Sequence, residues 1–507
     1  MAEFDYVVVG AGSAGCAVAH RLSEEPECEV LLLEAGAPDE EHEETIYTPS
    51  MFPGLFKTDA DWEYYTEPQS EMNGRRLYHP RGKTLGGTSS MNAQIYNRGN
   101  AWDWDNWAAM GNDGWSYEEM LRVFKRAENF VGTGHDEYHG TDGPLTVSDL
   151  SDPHPSSNTF VDAAQECGLA HNQDFNGNSQ LGAGLYHVTQ KDGRRCSSAA
   201  AYIKPVLDRN NLTVETRAHV TKIRFDGTRA VGVEYTQDGT EHTVDTSEEI
   251  VVSGGAYNSP QLLLLSGVGP ADHLELHDID VVADLPGVGQ NLQDHLFTFV
   301  VYERTDETPP APSSNIGEGG AYLYVDEDEP APDLQLHYCP VYYMEHGFAN
   351  PDGLGFSIGS TQVRPESVGT VTLASADPAD APVIDPQYLT EEPDLPVLRE
   401  GIKRSREIAQ SDTFADIRGE EVWPGEDVQT DEEIEAHVRE TAHTIYHPVG
   451  TCTMGDGEMA VVDDKLRVRG VDGLRVADTS VMPKIPSGNT NAPAIAIGER
   501  VAEWMTE

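Results

Sequence analysis

The stretch that decides the fold is "DYVVVGAGSAGCAVAHRLSE", Asp5–Glu24. Tyr6–Val9 is a short apolar run that breaks at Gly10, Gly12 and Gly15, after which Ala17, Val18 and Leu22 take up helical spacing. Each glycine has a physical task in a strand–turn–helix of this kind. Gly10 makes the tight turn, Gly12 lets the backbone approach a pyrophosphate, and Gly15 lets the helix pack close on the strand. Ser13 then opens a helix whose N-terminus faces the phosphates. A second apolar run, "CEVLLLEAG" (Cys28–Gly36), ends in Glu34, 19 residues after Gly15, where an acid would hold ribose hydroxyls. Strand, helix, strand and acid in this order predict an α/β dinucleotide-binding unit. They do not choose between NAD and FAD.

Outward from this core, the chain's 507 residues exceed one ordinary domain. No apolar stretch reaches the roughly 18 residues of a membrane span. The start, "MAEFDYVVVGAGSAG", is acidic and enters a strand at once, unlike a signal peptide, so an unprocessed cytoplasmic protein is expected. Asp and Glu total 87 against 33 Lys and Arg, a net charge of −54. The acids run along the whole chain, with clusters at Asp39–Glu44 and Asp326–Glu329. Self-repulsion on this scale opposes a compact state in dilute salt, and molar salt screens it. A salt-rich cytoplasm, as in extreme halophiles, is the expected setting. A surface this acidic also argues against nucleic acid as a partner. The six cysteines form no CxxC pair and fit no zinc pattern, so free thiols are expected.

The segment "HPRGKTLGGTSSMNAQIYNRG", His79–Gly99, reads as neither helix nor strand. Its Gly86-Gly87 turn and small hydroxyl residues offer free backbone N–H groups to a flat or phosphorylated ligand. Arg81–Gly99 resembles the first signature of the glucose–methanol–choline (GMC) family of FAD oxidoreductases. "GGAYNSPQLLLLSGVG" (Gly254–Gly269) resembles the second. "PGVGQNLQDH" (Pro286–His295), "YHPVGTCTMG" (Tyr446–Gly455) and "GLRVADTSVMPKIPSGNTNAPAIAIGER" (Gly473–Arg500) are similar to further blocks of the family, in its order. The resemblance runs end to end.

That resemblance implies an α/β fold: a Rossmann-like FAD domain from residues 1–155, 193–300 and 441–507, and a substrate domain on an antiparallel sheet from 156–192 and 301–440. Alternating runs such as "DLQLHYCPVYYM" and "GTVTLASAD" fit strands of that sheet. It implies oxidation of an alcohol by hydride transfer to flavin N5, with His447 as the base and Asn489 holding the alcohol oxygen; Asn491 is the fallback for Asn489. A near-neutral imidazole suits the first task and an amide donor the second. For FAD, the resemblance implies Gly10, Gly12, Ser13, Gly15 and Glu34 at the ADP half and Asn92 near the flavin. Gly86 and Gly87 shape the loop, Val220 meets adenine through its backbone, and Asp478 and Asn491 lie near the ribityl and phosphates. Members with covalent FAD carry a histidine just before that Asn; here Met91 stands there, so FAD is expected to be non-covalent. No metal site is expected: His443 and His447 have i, i+4 spacing, but Pro448 follows directly.

Choline or a similar small alcohol is the expected substrate, by resemblance to members that act on choline. Trp62 and Tyr446 would supply an aromatic cage and Glu318 its carboxylate. The match departs from those members at Ser313-Ser314-Asn315, where they are aromatic. An uncharged primary alcohol or polyol, a flavin-containing lyase of the same fold, and a non-catalytic nucleotide-binding protein are the alternatives. The electron acceptor is left open, since Ile445 and Ala93 permit either oxygen or another acceptor, and a homo-oligomer is equally allowed. The charge carries a prediction of its own: the thermal midpoint should rise from dilute buffer to molar KCl, and equal midpoints would contradict a salt-adapted chain.

Overall fold

The computed structural model describes residues 3–349 and 351–506. Two seven-stranded sheets organise it. In the first, Leu212–Glu215, Val30–Leu33, Glu3–Val9, Thr240–Val252 and Leu474–Val476 run parallel in that order. Arg229–Gln237 and Ala218–Asp226 extend it antiparallel. Val7 sits between Leu31 and Ile250 in register, and all three are buried. Covered on both faces, such strands read as unbroken apolar runs, which is why "YVVV" and "VLLL" show no alternation. The helix Ser13–Leu22 packs against the last helix, Asn491–Thr506. Gly498 permits that approach, since a Cβ there would sit 2.4 Å from the Ala14 carbonyl oxygen.

The second sheet is antiparallel throughout. Its order is Arg418–Trp423, Leu296–Arg304, Gly355–Gln362, Leu334–Cys339, Gly319–Leu323 and Gly182–Leu185, with His443–Thr444 pairing the start of Leu296–Arg304. Helices Pro155–Glu166 and Asp394–Ala409 cover one face. Side-chain alternation sorts Leu334–Cys339 accordingly. Leu334, Leu336 and Tyr338 join the core under those helices. Gln335, His337 and Cys339 take the other face, and His337 and Cys339 line a cavity there.

Gly182–Leu185 sits at the edge of the second sheet, within the span 156–192 expected there. Two expected boundaries fall differently. The apolar run Leu296–Arg304 is one strand of the second sheet, so a break at 300 would cut it. His443–Thr444 lies beyond the expected break at 441 yet pairs with that strand. The chain crosses between the sheets beside the residues that build the site. Among the described residues, no helix is long and apolar enough to cross a membrane, and the six cysteines are free thiols.

Candidate active site

Gly10 adopts φ +97°, and a Cβ there would lie 2.5 Å from the Ser253 carbonyl oxygen. A Cβ on Gly15 would fall 1.9 Å from the Gly10 oxygen, so helix and turn touch as the fingerprint requires. The second glycine turn meets the first: a Cβ on Gly87 would approach the Gly12 Cα to 2.8 Å. A Cβ on Gly12, in contrast, would find no heavy atom nearer than 4.0 Å; its open side belongs to the cavity. This bare backbone at a helix N-terminus is a cradle a pyrophosphate fits.

One cavity is lined by Gly10, Gly12, Ser13, Glu34, Gly87, Asn92, Val220, Asp478 and Asn491, and also by Trp62, Tyr446, His447 and Asn489. Gly15 and Gly86 are not among its lining residues; Gly86 N donates to Ala11 O at 2.8 Å, within the first glycine turn. Glu34 is buried, accepting from Ala11 N and Gly36 N, each at 2.9 Å, and burial pushes its carboxyl up to about 7. Asp478 accepts from Gly255 N (2.9 Å), Ser259 Oγ (2.5 Å) and Ser480 N (2.7 Å), joining the strand end Leu474–Val476 to the turn before Gly255–Leu265. Ser13 Oγ donates to Asn491 Oδ1 at 2.7 Å, which ties the first helix to the last. Asn92 presents its Oδ1 to Gln94 N at 3.0 Å and to Arg195 Nη1 at 2.8 Å. The residues therefore fit FAD: a glycine cradle, an acid at the strand end, and backbone at Val220.

At the other side of the cavity, His447 Nε2 lies 3.3 Å from Asn489 Nδ2, and its Nδ1 lies 3.0 Å from His295 Nδ1. His295 Nε2 lies 3.0 Å from the Val363 carbonyl oxygen. A carbonyl only accepts, so His295 Nε2 carries its proton and His295 Nδ1 is the acceptor. His447 Nδ1 must then donate, and its Nε2 keeps a lone pair. Gln335 Nε2 donates to Asn489 Oδ1 at 3.3 Å, which leaves the amide NH₂ facing that lone pair. The main chain is fixed as tightly. His447 N donates to Asp294 Oδ1 at 2.8 Å, and Asp294 Oδ2 accepts from Thr444 Oγ1 at 2.6 Å and from the Tyr388 hydroxyl. Burial, with His295, His337 and Arg81 nearby, holds the His447 imidazole well below its ordinary value. His337 lines the cavity with its buried Nε2 unpartnered.

Tyr446 takes φ +74°, a strained conformation for an aromatic residue. Its hydroxyl lies 2.7 Å from His346 Nδ1 and 3.0 Å from the Tyr343 hydroxyl, and Arg81 Nη2 donates to its carbonyl at 2.7 Å. Three groups thus hold the turn that presents His447.

The expected choline cage does not form. Glu318 is fully buried outside the cavity, accepting from His154 N (2.8 Å), Ser157 Oγ (2.6 Å) and Ser314 Oγ. Its neighbours Ile316 and Gly317 reach the cavity wall; Glu318 itself is not among the lining residues, and its carboxylate meets these three donors instead. Ser314, in the stretch where the resemblance weakens, is one of those donors. Trp62 and Tyr446 line the same cavity but keep different ring partners. Trp62 stacks on Tyr64 (5.8 Å, 6°), meets His219 edge-on, and lies under Lys83 Nζ, beside the strand of Val220. Tyr446 packs instead with Phe56, at 5.7 Å. Sequence reading missed Asp294 and His295. Both stand in the quoted block "PGVGQNLQDH", where an Asp-His pair just before a buried strand was the available signal.

The GMC oxidoreductase pattern matches residues 4–297, and its C-terminal counterpart matches 365–498. This chain belongs to the GMC oxidoreductase family. It is 42% identical to the alcohol dehydrogenase [acceptor] of Pseudomonas putida, over 99% of this chain and 95% of that one. It is 43% identical to the mitochondrial choline dehydrogenase of Mus musculus, over 99% and 89%. Among solved structures, pyridoxine 4-oxidase from Mesorbium loti superposes with a TM-score of 0.93 at 32% identity, covering 99% of each chain. The GMC oxidoreductase fold, FAD as cofactor and FAD-dependent alcohol oxidation follow. The depressed His447 titration sets a pH signature. The imidazole stays neutral as pH falls through about 6.5, so flavin reduction by an alcohol should persist there and fail only at lower pH. Stopped-flow traces with an acid limb at or above pH 6.5 would contradict this.

Proposed function

We propose that this GMC oxidoreductase oxidises an uncharged primary alcohol with an apolar tail to the aldehyde. One observation carries the reading: the His447 lone pair and the Asn489 amide converge in a cavity also lined by Phe52, Phe56, Phe297, Ile316, Tyr343 and Ile445, which form one apolar cluster with Tyr446 packed against it. Among the described residues lining the whole cavity, the carboxylates are Glu34 and Asp478, both occupied by donors at the glycine-loop side. Bound FAD supplies the hydride acceptor. His447 Nε2 takes the hydroxyl proton, while His295 Nδ1 accepts from His447 Nδ1 and keeps the ring oriented. Asn489 Nδ2 donates to the substrate oxygen as charge develops on it. The apolar wall excludes water and seats the tail.

Choline keeps partial support from the aromatic faces of Phe56, Phe297, Tyr343 and Tyr446, which can hold a cation. It loses the carboxylate that favoured it. The deciding comparison is flavin reduction by choline and by 3,3-dimethylbutan-1-ol, the same shape without charge. The neutral alcohol should reduce the flavin at least as fast; a tenfold preference for choline would overturn the reading. His447→Ala should slow reduction by roughly 10²- to 10⁴-fold with FAD retained, the usual contribution of a positioned base. A threefold loss or less would remove His447 from that role. Flavin that stays oxidised under every alcohol tried would favour a lyase.

Met91, buried at the cavity wall beside Asn92, supports non-covalent FAD, because a thioether offers no nucleophilic nitrogen for attachment. Acid precipitation should leave the yellow colour in the supernatant, and colour in the pellet would contradict this. The charge of −54 supports a salt-rich cytoplasm as the setting.

A further inference from the structure

Behind Asn92 lies a guanidinium with no counter-ion among the described residues. Arg195 closes the short hairpin of Gln190–Lys191 and Arg194–Arg195 and is 2% exposed. Its Nε donates to Ile46 O at 2.7 Å, and its Nη1 donates to Ser89 O at 3.1 Å and Asn92 Oδ1 at 2.8 Å. Its Nη2 meets no acceptor among those residues, and none of their carboxylates forms an ion pair with it. A buried, unpaired charge is among the costliest arrangements a fold can keep. It is odder still here, where 87 acids face 33 Lys and Arg and a partner carboxylate would be easy to place. The adjacent Arg194, at the surface, does have one in Glu43.

The hydrogen bonds also settle which way Asn92 faces. Its Oδ1 accepts from both Arg195 Nη1 and Gln94 N. Flipping the amide would set an NH₂ group against two donors. Asn92 lines the cavity, so the polar atom it has left to present there is the Nδ2 donor.

We propose that Arg195 is a positioning residue for bound FAD, locking Asn92 with its donor toward the cofactor and holding an unneutralised positive charge that favours the reduced state. The proposal rests on the cavity being the FAD site and not on the role of His447. The charge count gives the reason. A primary alcohol gives up a hydride, one proton with two electrons, to the cofactor, and its hydroxyl proton to a base. The C–H and O–H bonds break and the C=O bond forms. The cofactor site therefore gains one negative charge. A cation in a low-dielectric surrounding, neutralised by no carboxylate, stabilises that product.

The test is the midpoint potential of the bound flavin, measured by dye-equilibrated reductive titration of the holoprotein in molar KCl, with FAD content and thermal midpoint recorded alongside. Arg195→Gln should lower the reduction equilibrium at least tenfold, about 30 mV for a two-electron couple. Arg195→Lys, which keeps the charge and loses the fork, should recover most of that. Asn92→Asp neutralises the guanidinium in place and should lower the potential likewise, so the proposal stays testable if Arg195→Gln does not fold. Variants that lose thermal stability but keep the wild-type potential within threefold in the equilibrium would show Arg195 to be structural and overturn the proposal alone. Wild-type protein that binds no flavin would overturn the cofactor reading and the proposal with it.

Discussion

The Val363 carbonyl oxygen can only accept a hydrogen bond, and the protonation pattern around the facing pair His447 and Asn489 follows from it. It assigns the His295 proton to Nε2, turns His295 Nδ1 into an acceptor, and so commits the His447 proton to Nδ1. The lone pair on His447 Nε2, which the proposed base role uses, is the far end of a chain that begins on the backbone just past the strand Gly355–Gln362. Asp294 does the same for the main chain, gripping His447 N and Thr444 Oγ1 with its two oxygens. Neutral imidazoles are what burial favours in any case, so charge, tautomer and position agree.

The cofactor side depends on a steric constraint. Two turns far apart in sequence approach so closely that Gly87 and Gly12 leave no room for a side chain between them. The first belongs to the parallel sheet; the second enters from the loop carrying Met91 and Asn92. Their contact joins the glycine cradle to the cavity wall that carries Met91 and Asn92. Tyr446, His447 and Asn489 arrive from segments after the second sheet, which is why the chain must return across both sheets before the site closes.

Much of this was legible in the sequence. The glycine fingerprint, Glu34 and the two apolar runs report a buried parallel sheet because each meets a local steric or solvation requirement. His447 and Asn489 were legible only through resemblance, and they do face one another. What did not follow from the sequence was side-chain direction around the cavity. Glu318 stands where a count along "IGEGGAYLY" would place a carboxylate, but the turn before Gly319–Leu323 points it at His154 N and two serines. Trp62 lies on the cavity wall, yet stacking on Tyr64 draws it to the strand of Val220. Asp294 and His295 were overlooked because their importance lies in hydrogen bonds to residues about 70 and 150 positions away, which no local pattern encodes.

The strand Leu334–Cys339 divides its labour by parity. Leu334, Leu336 and Tyr338 fill the core, while Gln335, His337 and Cys339 face the site. Substitutions at His337 and Cys339 act first on what the cavity meets, and those at the even positions act first on the core under the helices. The face that meets substrate and the face that fills the core are thus set by different residues of one strand. Here the room for substrate change is a property of the pleat.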